Sequence, residues 1–393
     1  MGDPILADLP VTVFEEMSGL ARDHRAVNLG QGFPDDPGPH AIRAKAADAV
    51  LNGYNQYPPM SGLPELRRAV AGHYARSQGL DLDWAAEVTI TSGATEALAA
   101  AFLGLIAPGD EVVVFQPFYD AYLPLIRRAG GVPRLVRLAP PHWRFDRAML
   151  DEAFTPRTRF VVLNNPVNPT GVVLPAEDLA LLAEFCVAHD VTAICDEVWE
   201  QVVFAPARHL PLMGFPGMRE RCVKIGSAGK MFGLTGWKVG FACAAPRLTR
   251  ALAGAHQFLT FTTAPNLQTA VAWGLEHGGD WFTEMPAALM ASRDRLAGGL
   301  SREGFAVLPS QGTYFLTVDL AASGVERDDR AFALHAVSQA GVAAIPVSAF
   351  YEDRPVTTIL RLCFSKREAT LDEGVARLAR ARDLARAGWG LSR

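Results

Sequence analysis

Lys230 is the residue of this sequence whose surroundings best suit chemistry. It lies in segment 225–240, which reads I-G-S-A-G-K-M-F-G-L-T-G-W-K-V-G. So many glycines predict a tightly turned loop rather than a regular helix, with backbone that can approach a compact anion. Such a loop either binds nucleotide phosphates or presents the lysine amine as a nucleophile toward a carbonyl group. The nucleotide pattern G-x-x-x-x-G-K-[ST] is excluded, because Met231 follows the lysine and has no hydroxyl for a magnesium ion. A lone lysine is most often a solvated surface residue, so Lys230 needs partners elsewhere in the chain.

Two polar segments each follow a predicted strand. The run S-G-A-T at 92–95 precedes an apolar helix, so its free amides and hydroxyls suit an anion, although Ser and Thr also cap helices on their own. The run N-N-P-V-N-P-T-G at 164–171 predicts a rigid loop that directs Asn164 and Asn168 outward. Ordinary turn chemistry explains one Asn-Pro turn, but the repeated pattern exceeds what one turn needs.

Two charged residues stand where a strand would bury them. Asp196 closes the apolar run 191–195, and a buried carboxylate is costly unless a cation such as a protonated pyridine nitrogen pairs with it. A helix cap or an internal salt bridge is the alternative for Asp196. Arg361 interrupts the strand-like run I-L-R-L-C-F, and its planar guanidinium suits a carboxylate. An exposed strand face with alternating polarity would also explain Arg361.

The elements that must position these residues alternate between strand and helix from residue 87 onward. Helices are predicted at 97–107, around 119–129 and at 176–188. Short apolar strands are predicted at 87–91, 111–115, 135–138, 159–163, 191–195, 223–226 and 239–242. The pattern predicts an α/β fold with a mostly parallel, seven-stranded sheet between helices, and ligands bind at the carboxyl ends of such strands.

The last third of the chain predicts a smaller α+β unit. Helices are expected at 286–304, at 332–340 and from Leu371, and strands at 305–308, 313–318, 342–345 and 358–364. We therefore divide the chain into an N-terminal arm with part of the small domain (1–38), a large ligand-binding domain (39–283) and a C-terminal small domain (284–393).

Composition excludes several classes of protein. The chain has 393 residues, a net charge of −5 and 49% hydrophobic residues, which is typical of a soluble protein and lacks the basic excess of a nucleic-acid binder. The apolar runs are too short to span a membrane, and the N-terminus does not read as a signal peptide. The five cysteines lack C-x-x-C spacing and lie mostly in apolar runs, which predicts reduced thiols in a cytoplasmic protein. No metal site is predicted.

Together these residues are the groups that pyridoxal phosphate chemistry on an α-amino acid requires: an amine, a buried acid, an anion cradle, Asn side chains and a carboxylate-binding arginine. At these positions the chain resembles the fold-type I pyridoxal-phosphate-dependent aminotransferases of class I/II. Within them it is similar to the group of kynurenine aminotransferase (glutamine transaminase K), methionine aminotransferase and succinyldiaminopimelate aminotransferase. The motifs that carry the resemblance span nearly the whole chain: V-N-L-G-Q-G-F-P-D, N-Q-Y-P-P, T-S-G-A-T-E-A, Q-P-F-Y-D-A-Y, N-P-T-G, D-E-V, G-S-A-G-K-M-F-G-L-T-G-W-K-V-G, G-T-Y-F-L and A-I-P-V-S-A-F-Y.

The resemblance assigns the residues around the cofactor ring. It implies that Lys230 binds pyridoxal 5'-phosphate covalently and then transfers protons, and that Asp196 pairs with the ring nitrogen. Tyr119 would stack on the ring, and Asn168 would donate to the ring oxygen and help to hold the substrate.

The resemblance also assigns the two anionic ends of the ligands. The phosphate would be held by the amides of Ala94 and Thr95 together with Ser227 and Lys238. Arg361, with the backbone at Gly32, would bind the substrate α-carboxylate.

Aromatic residues are expected to complete the site. By the resemblance Phe14 would line the substrate pocket, and Tyr57 and Phe261 would be lent across the interface of a homodimer, with Tyr57 reaching the cofactor. These three residues and Tyr351 suggest a pocket wall with room for an aromatic or thioether side chain, although aromatic residues near an interface can also simply pack.

Two positions depart from the family pattern. Trp199 replaces the tyrosine that donates to the ring oxygen; an indole N–H can donate but lies differently and cannot titrate. We therefore hypothesise that Trp199 holds the ring oxygen less well and changes how the cofactor responds to pH. Val167 replaces a polar residue near the pocket, which concerns the substrate rather than the reaction type.

The leading hypothesis is an aminotransferase that moves the amino group of an L-amino acid, of aromatic/kynurenine, methionine or glutamine type, to a 2-oxo acid by a ping-pong mechanism. The alternatives are an N-succinyldiaminopimelate aminotransferase of lysine biosynthesis and a cysteine-conjugate β-lyase. A non-catalytic binding role ranks lower, because the lysine and the acid are both present and residues 1–27 are too few for a DNA-binding segment. Amino-acid and 2-oxo-acid substrates and a homodimer are therefore expected, with no nucleic acid and no membrane as partners.

Overall fold

The computed structural model describes residues 4–7 and 9–388. The parts of the predicted N-terminal arm and C-terminal domain at residues 1–3, 8 and 389–393 lie outside the described residues. The strands are β1 (Val27–Asn28), β2 (Val88–Thr91), β3 (Glu111–Gln116), β4 (Val132–Arg137), β5 (Thr158–Asn164), β6 (Thr192–Asp196), β7 (Cys222–Ser227), β8 (Gly240–Ala244), β9 (Ala306–Val307), β10 (Phe315–Asp319), β11 (Val342–Ala343), β12 (Ile345–Pro346) and β13 (Ile359–Cys363). The helices are α1 (Pro4–Ala7), α2 (Val13–Asp23), α3 (His40–Asn52), α4 (Pro64–Gln78), α5 (Trp84–Glu87), α6 (Ala94–Leu105), α7 (Tyr122–Arg128), α8 (Arg147–Ala153), α9 (Ala176–Ala188), α10 (Ala228–Met231), α11 (Pro246–Leu259), α12 (Pro265–His277), α13 (Trp281–Arg302), α14 (Asp329–His335) and α15 (Glu368–Arg386).

Seven strands form the large sheet, in the order β2-β8-β7-β6-β5-β3-β4. All pairs are parallel except those of β8, which is antiparallel to both β2 and β7. Helices pack on both faces of this sheet, so each face is covered by apolar side chains. These side chains belong to two hydrophobic clusters. The predicted α/β fold with a mostly parallel, seven-stranded sheet is confirmed.

A second, antiparallel sheet has the order β12-β13-β10-β9. A short parallel pair, β1 with β11, joins the N-terminal segment to this half of the molecule. The last third of the chain thus has the mixed α and β content that its pattern predicts. The domain limits at residues 38 and 283 remain a prediction.

Local predictions were correct in type at most strands and helices, but several differ from the structure. Lys230 lies in a single helical turn, α10, instead of a purely irregular loop, because Ser227 caps that turn and glycines stand on both sides. Helices α11 and α12 were not predicted, and both begin with a proline at the first turn. Helix α13 contains Pro286 inside it rather than at its start. The predicted strand 342–345 is broken into β11 and β12.

Three neighbouring parallel strands of the large sheet end side by side. In the register of the sheet, Asn164 at the end of β5 pairs with Asp196 at the end of β6, and Asp196 pairs with Ile225 on β7. The polar residues that follow these strands are therefore brought to one edge of the sheet. Within the described residues, no helix has the length and apolar character needed to cross a membrane.

Candidate active site

A cavity of about 250 Å³ lies at this edge of the large sheet. It brings together residues that are up to 347 positions apart in sequence, from Phe14 to Arg361. The predicted site residues that line it are Phe14, Gly32, Ala94, Thr95, Tyr119, Asn168, Asp196, Trp199, Ser227, Lys230, Lys238 and Arg361. The sequence thus identified most of the residues that meet here.

The amine of Lys230 is held by weak contacts. Its Nζ lies 3.4 Å from the carbonyl oxygen of Gly32, to which it donates, and 4.5 Å from the centroid of the Trp199 ring. Its backbone is fixed, since Ser227 Oγ accepts from the Lys230 N–H at 3.3 Å and the Tyr314 hydroxyl donates to the Lys230 carbonyl at 2.9 Å. Burial lowers the pKa of Lys230 to about 8. A positioned amine with this pKa can be neutral near physiological pH, as a nucleophile and proton acceptor must be.

Asp196 is a buried carboxylate, 5% exposed, on the cavity wall. The Tyr122 hydroxyl donates to its Oδ2 at 2.5 Å, and the Val198 N–H donates to its Oδ1 at 3.4 Å. Burial raises the pKa of Asp196 to about 6, although the Tyr122 hydrogen bond opposes this rise. The Tyr122 hydroxyl and the Val198 N–H are both neutral donors, so the carboxylate suits the protonated ring nitrogen of a bound pyridine.

The first turn of α6 forms a cradle for an anion. Gly93 precedes the helix with φ +84°, and the amides of Ala94 and Thr95 begin it. A Cβ added to Gly240 would lie 2.6 Å from the Gly93 carbonyl carbon and 2.7 Å from the Ala94 nitrogen, so β8 packs directly under the cradle. The Lys238 side chain packs against Gly93: a Cβ added to Gly93 would lie 3.3 Å from Lys238 Nζ. Helix amides beside an ammonium group fit a phosphate.

Arg361 is 1% exposed, so the alternative of an exposed strand face is wrong. It lies on β13, and its Nη1 donates to Asn168 Oδ1 at 2.9 Å while its Nη2 donates to the Gly30 carbonyl at 2.7 Å. The guanidinium carbon lies 3.9 Å from the centroid of the Phe315 ring and 5.1 Å from that of Phe14. Burial lowers the pKa of Arg361 to about 9. Such a desolvated guanidinium favours a carboxylate partner.

A short chain of hydrogen bonds links the strand ends to Arg361. Asn164 Nδ2 donates to the Asp196 carbonyl at 2.9 Å, and the Asn168 N–H donates to Asn164 Oδ1 at 2.8 Å. Because Asn168 Oδ1 in turn accepts from Arg361, the loop after β5 positions the arginine relative to Asp196.

Four residues expected near the pocket lie outside the cavity of this chain. Tyr57 is 82% exposed and packs edge-to-face on Phe261, which is 40% exposed, with ring centroids 5.8 Å apart. The prediction that Tyr351 lies in the pocket wall is wrong for this cavity. Its hydroxyl donates to the Leu138 carbonyl at 2.8 Å, and its ring packs against a hydrophobic core cluster. Val167 is buried in the same core cluster instead of lining the cavity.

The structure adds functional residues that sequence reasoning missed. Tyr122 holds Asp196, Tyr314 fixes the backbone of Lys230, and Phe315 and Val198 line the cavity. A signal for Tyr122 exists in the sequence, because it stands three residues after Tyr119 in Q-P-F-Y-D-A-Y. Tyr314 stands in the motif G-T-Y-F-L, but the motif does not reveal its partner, which is a backbone carbonyl 84 residues away.

A buried ionic cluster lies beside Asp196. Glu197, Glu200 and His209 place their ligand atoms close enough to hold a metal ion. The Lys224 ammonium contacts both carboxylates, 2.5 Å from Glu200 Oε2, and is fully buried. The chain itself therefore supplies a positive charge to this group.

The fold and the site together define a pyridoxal-phosphate-dependent aminotransferase of fold type I. The family model for aminotransferase class I and II matches residues 24–378, and the chain belongs to this family. It is therefore an aminotransferase that uses pyridoxal 5'-phosphate, and the cradle, the acid and the lysine amine fit that cofactor.

Known proteins resemble this chain over nearly its whole length. A Mycobacterium tuberculosis protein named as a probable N-succinyldiaminopimelate aminotransferase is 46% identical over 379 residues, which cover 94% of this chain and 95% of that protein. The methionine aminotransferase of Escherichia coli is 39% identical over 373 residues, covering 95% and 96%. A solved structure of N-succinyldiaminopimelate aminotransferase from Mycobacterium tuberculosis has a TM-score of 0.94 at 46% identity, covering 97% of this chain and 100% of that one.

Proposed function

We propose that the amino donor is an L-amino acid with an aromatic, thioether or other uncharged side chain, and that a 2-oxo acid takes the amino group in a second half-reaction. One observation supports this choice: the cations among the described cavity residues are Lys230, Lys238 and Arg361, and each has a task at the cofactor or the α-carboxylate. The wall beside Arg361 is aromatic, with Phe14 and Phe315. An uncharged donor side chain matches that wall.

Arg361, Lys230 and Asp196 have separate roles in the reaction. Pyridoxal phosphate, when bound, supplies a ring that accepts electrons from the substrate Cα. Arg361 binds the α-carboxylate and thereby orients the substrate, with Asn168 holding the guanidinium. Lys230 Nζ would accept the proton from the substrate Cα and then donate it on the cofactor side, at C4′, and its lowered pKa suits both tasks. Asp196, held by Tyr122, keeps its negative charge at the ring nitrogen.

The remaining assignments belong to the same proposal. Ala94, Thr95, Ser227 and Lys238 hold the cofactor phosphate, Tyr119 stacks on the ring, and the Gly32 backbone assists the carboxylate. These roles are supported by the position of each residue on the cavity wall.

N-succinyldiaminopimelate is the second candidate donor. The observation that favours it is the 46% identity to the Mycobacterium tuberculosis protein of that name. Its remote carboxylates need a further cation, which a second copy of the chain or the rim of the cavity would have to supply.

A homodimer is part of the proposal. Tyr57 and Phe261 form an exposed aromatic pair, and Phe258, in the same segment as Phe261, is 86% exposed. Exposed apolar residues of this kind mark an interface with another protein surface, and a second copy would bring Tyr57 to the partner's cofactor. Sedimentation equilibrium should return the mass of two chains; the mass of one chain would contradict the proposal.

A cytoplasmic location is supported by the five unpaired, buried cysteines.

A panel of amino donors tests the choice of substrate. Without a 2-oxo acid, we expect aromatic amino acids and methionine to convert the bound cofactor from its yellow to its colourless form, as followed by absorbance, and one fixed 2-oxo acid should then restore the yellow form. N-succinyldiaminopimelate reacting much faster than these donors would replace the proposal by the second candidate. Release of pyruvate from a β-substituted substrate without any oxo acid would identify a β-lyase instead.

Replacing Trp199 by tyrosine tests how the cofactor is held. The indole ring lies 4.5 Å from Lys230 Nζ and edge-on to Tyr314, at 4.6 Å between centroids. A tyrosine would restore a hydroxyl donor to the ring oxygen and weaken the cation–π contact, and both changes disfavour the protonated form of the lysine-bound cofactor. The midpoint of the absorbance change with pH should therefore move to lower pH in Trp199→Tyr. Superimposable titration curves would refute this role.

A further inference from the structure

His256 is a buried histidine that lies outside the cavity described above. It stands on α11, its side chain is 0% exposed, and each ring nitrogen has a partner. Nδ1 lies 2.9 Å from Glu96 Oε1, and Nε2 lies 3.0 Å from the Met60 carbonyl oxygen. The Thr260 hydroxyl is 3.4 Å from Nδ1. The ring thus joins α6 to the loop that precedes α4.

The partners determine the protons on the ring. A carbonyl oxygen only accepts hydrogen bonds, so Nε2 carries a proton. An ionised carboxylate also only accepts, and Glu96 Oε2 already accepts from the Ser92 N–H at 3.1 Å. When His256 is protonated, Nδ1 therefore donates to Glu96, and the ring is an imidazolium paired with that carboxylate. Burial lowers the pKa of His256, but the hydrogen bond and charge of Glu96 outweigh it, so its pKa is raised.

Glu96 lies in the first turn of α6, beside the amides of the phosphate cradle. It fixes Ser92 at the entry to that turn, and the Ser92 hydroxyl lies 2.9 Å from the Thr263 hydroxyl. The Glu96 side chain is only 10% exposed, so without a counter-charge its carboxylate would repel a phosphate at the Ala94 and Thr95 amides with little screening by solvent. The imidazolium removes that repulsion.

We propose that His256 is a positioning residue that neutralises Glu96 and so lets the first turn of α6 bind the cofactor phosphate. This rests on the proposed assignment of the phosphate to Ala94 and Thr95. The groups that face the ring are Glu96 from α6, the Met60 carbonyl, the Thr260 hydroxyl and the backbone of Phe261. Since the histidine's pKa is raised, its contribution is complete at low pH and is lost as pH rises through that pKa.

The affinity for pyridoxal phosphate relative to pyridoxal, which lacks the phosphate, tests the proposal. The full-length enzyme is equilibrated by dialysis with each ligand between pH 6 and 9, and the two dissociation constants are compared at each pH. Effects on the bond to Lys230 are common to both ligands and cancel in the ratio. We expect the preference for pyridoxal phosphate to fall about tenfold as His256 loses its proton, since hydrogen bonds to charged groups contribute this much. The ionisation of the phosphate, with a pKa of about 6, acts in the opposite direction.

Glu96→Gln is the matched variant. The new amide oxygen can accept from the Ser92 N–H, and the amide nitrogen can donate to a neutral His256 Nδ1 while Nε2 still donates to Met60. The hydrogen bonds are kept and the charges removed, so the preference should show no such fall with pH.

Three results would overturn the proposal. They are a constant preference in the native enzyme, the same fall in Glu96→Gln, and no preference for pyridoxal phosphate at any pH. Only the last also refutes the phosphate assignment itself. If Glu96→Gln does not fold, as judged by circular dichroism, the native titration decides alone.

Discussion

Replacing Lys230 by alanine should abolish transamination. The variant keeps the cavity but loses the amine that we propose binds the cofactor and moves the Cα proton, and proton transfer by a positioned base contributes about 10²- to 10⁴-fold to the rate. Lys230→Arg should be as inactive, because a guanidinium stays protonated and cannot accept a proton. Turnover of the best donor, measured with the coupled oxo-acid assay, is the readout.

Two controls separate this chemistry from a loss of folding. Lys45→Ala removes a partly exposed lysine that pairs with Asp48 at 3.7 Å, and it should leave turnover unchanged. A small external amine should restore part of the activity of Lys230→Ala, because it can enter the space of the lost side chain and accept the proton. Full turnover by either Lys230 variant would refute the assignment.

Replacing Arg361 by alanine should weaken every amino-acid donor. Removing one partner of a buried charged pair costs about 2–5 kcal/mol, which corresponds to a fall of about 30- to 4000-fold in kcat/KM. Arg361→Lys should recover little, since an ammonium group cannot reproduce two parallel hydrogen bonds to a carboxylate and would lose the contact with the Phe315 ring.

The role of Arg361 in recognition can be separated from its role in packing. The native enzyme should strongly prefer an amino acid over the amine that lacks its carboxylate, and this preference should collapse in Arg361→Ala. Arg354→Ala is the control, since Arg354 is 71% exposed and pairs with its neighbour Asp353. An unchanged KM for every donor in Arg361→Ala would contradict the carboxylate role.

Some of the site could be predicted because the responsible signals are local. Lys230 stands in a glycine-rich segment, and Asn164 and Asp196 each directly end an apolar strand. In a parallel sheet the carboxyl ends of neighbouring strands share one edge, so residues that follow them must meet. The alternation of strands and helices was therefore enough to predict the sheet and its ligand-binding edge.

Other parts depended on contacts between distant segments. The same alternating pattern around Arg361 fits an exposed or a buried strand, and only the packing of Phe14, Phe315 and Phe350 on the guanidinium excludes solvent from it. The sequence predicts Tyr351 in the pocket wall, but its hydroxyl donates to the Leu138 carbonyl, 213 residues away, and a local pattern does not show that partner.

The sequence by itself determined the class of fold through its strand periodicity and the cofactor through motifs that resemble those of the aminotransferases; the same motifs predict Lys230 as the residue that binds the cofactor. The tertiary structure alone decided that Arg361 is buried, that Tyr122 supports Asp196 and that His256 pairs with Glu96 in the first turn of α6. The physical reason is that charge, burial and hydrogen bonding depend on which surfaces meet in space, and a local pattern does not specify its distant partner.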